Sequence, residues 1–336
     1  MEKKLISVLT AAAMAAALLM GCGGNNTAEK NTAKTTKEAK TINMIVPDGL
    51  PAVALSKFMT DTKKIDNVTI NSSIEKTTEA LSTSIMKGEP DVAVVPSNLA
   101  AQAYNKKVGY KILGTVGWGS MYLVSTDPAV KQLSDIKSKE VYSLGKGLTP
   151  DIAFKSVLKQ NNIDADKDVS ITYVSAASEL PPVVIGGKAK LAVIPEPALT
   201  AVKAKKKDLN VICNLNDEWK KILDSDYGFP QSTLIVKESL LKNDKEFINK
   251  LADSTKENVK WVNDNKDKVG AMSEKLGVTV KAGIVAKALE DANLDFVNIK
   301  DSEKVYIKYF EELNKYQPKI IGGKVPDAKI FASQNY

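Results

Sequence analysis

Histidine and arginine are absent from the 336-residue sequence, so all 47 of its cationic side chains are lysines. Without histidine there is no Ser-His-Asp or Cys-His nucleophile system, no imidazole metal ligand and no side chain whose ordinary pKa lies near neutrality. Most hydrolase and metalloenzyme chemistries fall with it. Without arginine there is no planar fork to grip a carboxylate or phosphate by two parallel hydrogen bonds. Any anion must therefore be held by lysine, hydroxyls, amides or backbone N–H groups. Cysteine occurs only twice, too rarely for a disulfide scaffold. What is present, 43% hydrophobic and 26% charged residues, is ordinary for a globular chain of about two domains that folds by burial alone.

Lys3 and Lys4 precede a largely apolar run at residues 5–20, which is followed by Leu19-Met20-Gly21-Cys22. The run is short for a membrane span and has the proportions of a signal-peptide core. The four residues resemble the bacterial lipobox, in which cleavage before the cysteine leaves its thiol to carry diacylglycerol. Residues 1–21 thus read as signal peptide and Cys22 as the lipidation site. Residues 22–40, without an aromatic or large aliphatic side chain, read as a flexible tether. Cys213, within the apolar run Asn210-Val211-Ile212-Cys213, reads as an inert core thiol. Signal and tether carry net charges of +1 and +2, leaving +4 on the body, a mild excess that calls for no nucleic-acid partner.

From residue 41 short β-rich runs (42–46, 68–70, 92–95, 112–116) alternate with helical spacing (52–59, 78–86, 99–104), a pattern of parallel or mostly parallel sheet with helices on both faces. A second round follows: strands at 141–144, 171–174, 191–194 and 211–213, helices at 152–159, 180–185 and 198–205. After a strand at 234–236 the chain reads as helical, so the tail must pack on sheets already built. Gly-rich stretches at Gly117-Trp118-Gly119-Ser120 and Tyr227-Gly228-Phe229-Pro230 punctuate this order. They divide the body into lobe one (41–118 and 229–336) and an inserted lobe two (119–228), two α/β lobes joined by two crossovers with a cleft between them.

Three motifs carry a family resemblance. Lys87-Gly88-Glu89-Pro90-Asp91-Val92-Ala93-Val94-Val95-Pro96 is similar to a strand of bacterial extracytoplasmic solute-binding proteins of the nitrate/sulfonate/taurine and thiamine-precursor type. Leu133-Ser134-Asp135-Ile136-Lys137-Ser138-Lys139 resembles the opening of their second lobe, with Ser138 where glycine is usual. Gly186-Gly187-Lys188-Ala189-Lys190-Leu191-Ala192-Val193-Ile194-Pro195-Glu196-Pro197 repeats the first motif, with Lys190 in place of an acidic residue. The resemblance, over about residues 41–265 and beneath a lipobox, implies an α/β periplasmic-binding-protein-like clamshell with a helical C-terminal segment. It also implies a monomer anchored by lipid on the extracytoplasmic face, delivering a small solute to an ABC permease driven by a cytoplasmic ATPase.

In open α/β sheets ligands sit beyond the carboxyl ends of strands, where loops enter helices. In lobe one this nominates Asp48, Gly49, Leu50, Thr77, Thr78, Ser97 and Asn98; in lobe two, Gly147, Thr149, Asp151, Ser175 and Glu196; at the crossover, Trp118. Backbone N–H groups of Gly49, Leu50, Asn98 and Asp151 are expected to supply much of the grip. Each has a plainer reading. The hydroxyls of Ser97 and Thr149 can cap their own helices, Trp118 can stack on a flat ligand or fill space, and Glu196 can accept from a solute N–H or only hold a rigid turn.

Asp164-Ala165-Asp166-Lys167-Asp168 imitates a calcium loop but lacks its glycine and bidentate glutamate, and Gly145-Lys146-Gly147-Leu148-Thr149-Pro150 is an incomplete dinucleotide fingerprint. No cofactor, metal or catalytic activity is expected. The alternative to solute capture is a surface lipoprotein using the same clamshell as an adhesin or sensor. The solute itself is left between a sulfonate-like anion, suited to helix N-termini, and a nitrogen heterocycle, suited to Glu196 and Trp118.

Overall fold

The computed structural model describes residues 40–334 apart from residue 175. The signal segment, Cys22, most of the tether and Ser175 therefore lie outside the described residues. The described residues fall within one compact unit, organised by two sheets. The first begins with β1 (Lys40–Pro47), β2 (Lys64–Ile65), β3 (Val68–Glu75), β4 (Val92–Pro96) and β5 (Tyr110–Trp118). The second comprises β6 (Met121–Ser125), β7 (Glu140–Leu144), β8 (Ser170–Val174), β9 (Leu191–Pro195) and β10 (Asn210–Asn214). The chain then returns to the first sheet with β11 (Pro230–Lys237) and β12 (Val297–Asn298). The orders are β12-β5-β11-β4-β1-β3-β2 and β10-β6-β9-β7-β8.

The helices around the first sheet are α1 (Leu50–Ala54), α2 (Ser56–Asp61), α3 (Thr78–Met86) and α4 (Ser97–Asn105). Around the second lie α5 (Thr149–Gln160), α6 (Leu180–Ile185), α7 (Ala198–Lys205) and α8 (Leu215–Leu223). The tail supplies α9 (Glu238–Asn243), α10 (Lys245–Asp264), α11 (Lys266–Lys275), α12 (Ala282–Ala288) and α13 (Ile299–Tyr316). No described helix is long and apolar enough to cross a membrane.

Continuous apolar runs set the central strands. Val92 through Val95 are all buried in β4, as are all nine residues of β5, as expected of strands covered on both faces. In α10 the buried positions Phe247, Leu251, Thr255, Val259 and Val262 recur at three- and four-residue spacing, so one stripe faces the core. Asp244 starts that helix by accepting from the Phe247 N–H at 3.2 Å.

The sheets are mixed rather than mostly parallel. β11 runs antiparallel to both β4 and β5, and β6 antiparallel to both β9 and β10. The reason is topological: β4, β5 and β9 run toward the crossovers, whereas β6 and β11 begin there and run away. The tail covers existing surface as expected, but it also adds β12 to the edge of the first sheet, beside β5.

Candidate functional site

Both crossovers pass one side chain, Asn216. Its amide nitrogen donates to the Tyr227 carbonyl at 3.0 Å and its oxygen accepts from the Phe229 N–H at 3.2 Å. Gly119 donates to the Phe229 carbonyl at 3.0 Å, tying the first crossover to the second. A Cβ at Gly119 or at Gly228, the latter at φ +83°, would collide with Asn216, so glycine is required at both places. A third segment crosses the same point. Asn293 accepts from the Trp118 N–H at 3.0 Å and donates to the Gly119 carbonyl at 2.5 Å, while Tyr122 donates to the Asp291 carbonyl at 2.6 Å.

Two polar side chains at this hinge each carry one atom without a partner among the described residues. Trp118, the last residue of β5, is 3% exposed and stacks on Tyr227, ring centroids 4.9 Å apart at 21°. Its indole N–H has no acceptor among the described residues. Glu196 is 4% exposed. One carboxylate oxygen accepts from the Thr200 N–H at 3.2 Å, and the other, Oε1, has no donor among the described residues. Burial pushes the Glu196 carboxyl up to about 7, against the opposing pull of the Thr200 hydrogen bonds and the Lys203 charge. A carboxyl poised there changes charge around neutral pH, a role the absence of histidine had seemed to close.

Ser97 reaches the same hinge from the first lobe. Its hydroxyl donates to the Pro230 carbonyl at 2.6 Å and also lies 2.7 Å from the Thr233 hydroxyl. Since a hydroxyl has one proton, Thr233 must donate to Ser97, Tyr306 to Thr233 at 2.8 Å, and Thr115 to Tyr306 at 2.7 Å. The hydroxyl of Ser97 is thus engaged inside the first lobe. Gln231, next to Pro230, accepts from the Ser120 N–H at 3.0 Å, and the Ser120 carbonyl accepts from the Glu196 N–H at 2.9 Å. Ser97, Trp118 and Glu196 are in this way held around one hinge.

The other nominated residues form separate groups. Asp48 accepts from the Gly49 N–H at 2.8 Å, from the Thr279 N–H at 3.0 Å, from the Thr279 hydroxyl and from Lys76 at 3.2 Å. Burial raises its pKa, but these bonds overcome that and hold it below the usual carboxylate range. The Gly49 N–H expected to face a ligand is therefore already taken. Leu50 is buried at the start of α1. Thr77 caps α3 by accepting from the Ala80 N–H at 3.1 Å, and Thr78 is exposed. Asn98 turns toward the tail, its amide 3.4 Å from the Ile320 carbonyl.

In the second lobe Asp151, fully buried, accepts from the Gly147 N–H and the Tyr173 hydroxyl, both at 2.7 Å, and pairs with Lys155 at 3.2 Å. Thr149 is the first residue of α5, whose cap position is taken by Leu148, so its hydroxyl does not make the helix cap expected of it. No hydrogen bond or ion pair among the described residues joins the Asp48 or Asp151 group to Glu196. Reading the sequence missed Asn216, Gln231 and Asn293, whose partners lie up to 174 residues away. It also missed Ser143, buried on β7 with its hydroxyl unpartnered among the described residues; a small polar residue in an apolar strand was its only signal. Burial pushes the Cys213 thiol up to about 12, which suits an inert thiol.

Two sheets joined at such a hinge are the architecture of two-lobed periplasmic binding proteins. The structure resembles an ABC transporter protein from Parabacteroides distasonis, with a TM-score of 0.76 and 22% identity over 87% of this chain and 98% of that one. It also resembles the periplasmic aliphatic sulphonate binding protein SsuA from Escherichia coli, with a TM-score of 0.68 and 13% identity over 88% and 97%. A third likeness is the ligand-binding component of an ABC-type import system from Staphylococcus aureus, solved with zinc bound, with a TM-score of 0.63 and 14% identity over 87% and 96%. The expected clamshell class is therefore shown. By sequence, the chain belongs to the family described as Menaquinone biosynthesis, whose profile matches residues 56–302. No curated protein matches it.

Proposed function

We propose that the protein is the solute-binding component of an ABC importer and holds a small nitrogen heterocycle at the hinge. The observation that carries this reading is the pair of unmatched buried groups there, the Trp118 indole N–H donor and the Glu196 Oε1 acceptor. Buried polar groups are normally paired, so a ligand offering an acceptor to one and an N–H to the other would complete both. A sulfonate supplies only acceptors, so it could meet Glu196 only as the protonated acid, whereas a ring N–H matches the ionised carboxylate. In this reading residues 41–118 and 229–336 form lobe one and 119–228 lobe two. A ligand touching both lobes favours closure by its differential affinity. The importers among the structural likenesses support the same role, with a permease and its ATPase as partners.

Residues 1–21 would be removed as a signal peptide. Cys22, lipidated on the extracytoplasmic face, would tether the protein through residues 23–40. Cys22→Ser should release the protein from membranes; unchanged retention would contradict the anchor. For the solute, a thermal-shift screen of the full chain in detergent against pyrimidines, sulfonates, nitrate and amino acids is the test, since a ligand at 100-fold its Kd stabilises by about 2.7 kcal/mol. Stabilisation by sulfonates alone, unaffected by Glu196→Gln, would overturn the heterocycle reading.

One observation favours a second reading. A buried carboxyl titrating near neutrality is suited to general acid–base chemistry, and the family's description is a biosynthesis. On that reading the same hinge would transform its ligand. Multiple turnover of a bound heterocycle, lost in Glu196→Gln, would decide for it.

A further inference from the structure

Strand β11 opens on an irregularity. Along its pairing with β5, Pro230 lies opposite Trp118 and Ser232 opposite Gly117, so Gln231 is one residue too many for that ladder. On the other side β4 ends at Pro96, opposite Ser232, so Gln231 lies beyond that ladder as well. An extra residue of this kind bends its strand and re-aims a side chain. We propose that Gln231 is a specificity-determining residue of the hinge site, its amide N–H groups reading a ring carbonyl of the solute. This rests on the heterocycle reading given above and narrows it to a ring that carries both an N–H and a carbonyl, a lactam or cyclic imide.

The Gln231 amide is oriented by two donors. Its oxygen accepts from the Ser120 N–H at 3.0 Å and lies 3.4 Å from the Ser120 hydroxyl. An amide nitrogen cannot accept a hydrogen bond, so the branch at Ser120 is the oxygen and the other branch carries two N–H donors. No described residue accepts from that nitrogen. Gln231 is half-buried, and the nitrogen is not sealed from solvent.

Ser120, 1% exposed, holds Gln231 and Glu196 in a fixed relation. Its N–H goes to Gln231, and its carbonyl accepts from the Glu196 N–H at 2.9 Å. Pro230, which precedes Gln231, is itself held at its carbonyl by Ser97 at 2.6 Å. The hinge thus offers donors from Trp118 and Gln231 and an acceptor from Glu196. A ring N–H between carbonyls is the complement of that set. An amino group in place of a carbonyl would set donor against donor, and a site whose polar groups are left unpaired discriminates strongly against such an analogue.

The test is calorimetric titration of the full chain in detergent with uracil, cytosine and isocytosine, the last two each replacing one carbonyl of uracil with an amino group. Uracil should bind best, and one of the amino analogues should bind about tenfold or more weakly. Gln231→Glu keeps an oxygen for the Ser120 N–H but offers an acceptor where the amide offered a donor. It should weaken uracil by about tenfold and bring the rejected analogue level with it or above. Gln231→Met, which drops both groups, should abolish the preference without favouring the amino ring. Equal binding of all three rings by the parent, or a preference that survives Gln231→Glu while Glu196→Gln still weakens binding, would overturn the role of Gln231 alone. No binding of any of the three, or binding indifferent to Glu196→Gln, would overturn the heterocycle reading and this inference with it.

Discussion

At Pro96-Ser97 and at Pro195-Glu196 a buried strand ends on proline and hands a polar residue to the start of a helix. β4 and β9 are both buried at their first four positions, and Ser97 and Glu196 are 2% and 4% exposed. Their hydrogen-bond balance is opposite. Ser97 donates to a hinge carbonyl and accepts from Thr233, so its proton is spent and its oxygen has a donor. Glu196 has one oxygen matched and one not. Equal burial therefore does not make equal sites. A matched group stabilises its own lobe, and an unmatched one stores a penalty that a ligand can relieve.

The largest effect should come from Glu196. Its carboxyl ionises near 4.5 when unfolded and near 7 when folded. Between those values the unfolded chain loses a proton that the folded chain keeps, so stability is full below about 4.5, falls as pH rises through the window and levels above 7. The drop should be on the order of 3 kcal/mol. Denaturant midpoints of Glu196→Gln across this range should be flatter than those of the parent, and a parallel pH dependence in the two would contradict the assignment. Heterocycle affinity that rises with pH through 7 would mean that the ionised carboxylate accepts from the ligand.

Ser97→Ala should be next, costing about 1–3 kcal/mol because the Pro230 carbonyl and the hydroxyl chain lose a partner. Solute affinity should hardly move. A large affinity loss at unchanged stability would erase the contrast between the two junctions and return Ser97 to the ligand. Trp118→Phe removes an N–H that no described residue accepts, so stability should change by less than about 1 kcal/mol. Titration should show affinity falling about tenfold. The smallest effect belongs to Lys203→Ala, which breaks a 3.0 Å ion pair with Asp291 between α7 and the tail segment. Both side chains are about two-fifths exposed, and such pairs contribute about 0–1 kcal/mol, readable by thermal melts at low and high salt.

The strands that sequence reading found were those whose apolar run decides the matter, such as 92–95 and 191–194. β6 escaped because Met121 to Ser125 directly follows the Gly119-Ser120 crossover and has no run of β-branched residues, although all five are buried. β12 is two residues long and is ordered by its neighbour β5. At the site, Glu196 was legible from its place after a strand and between prolines, and Trp118 from the glycines around it. Whether a hydroxyl is free was not legible. Ser97 is satisfied by Pro230 and Thr233, more than 130 residues on, and no local pattern reports that distance.

The insertion of β11 between β4 and β5 has a consequence for the order in which the chain matures. Until residue 237 has been made, the first sheet lacks a central strand, and β4 and β5 have no partner on their facing edges. The whole second sheet, β6 to β10, must be synthesised before that gap can be filled. The amino-terminal lobe therefore finishes last, and a nascent chain stopped short of β11 exposes two of its most apolar strands. For a polypeptide threaded unfolded through a membrane, as proposed here, this delay keeps the leading half pliable during translocation and postpones closure of the hinge until nearly all of the chain has crossed.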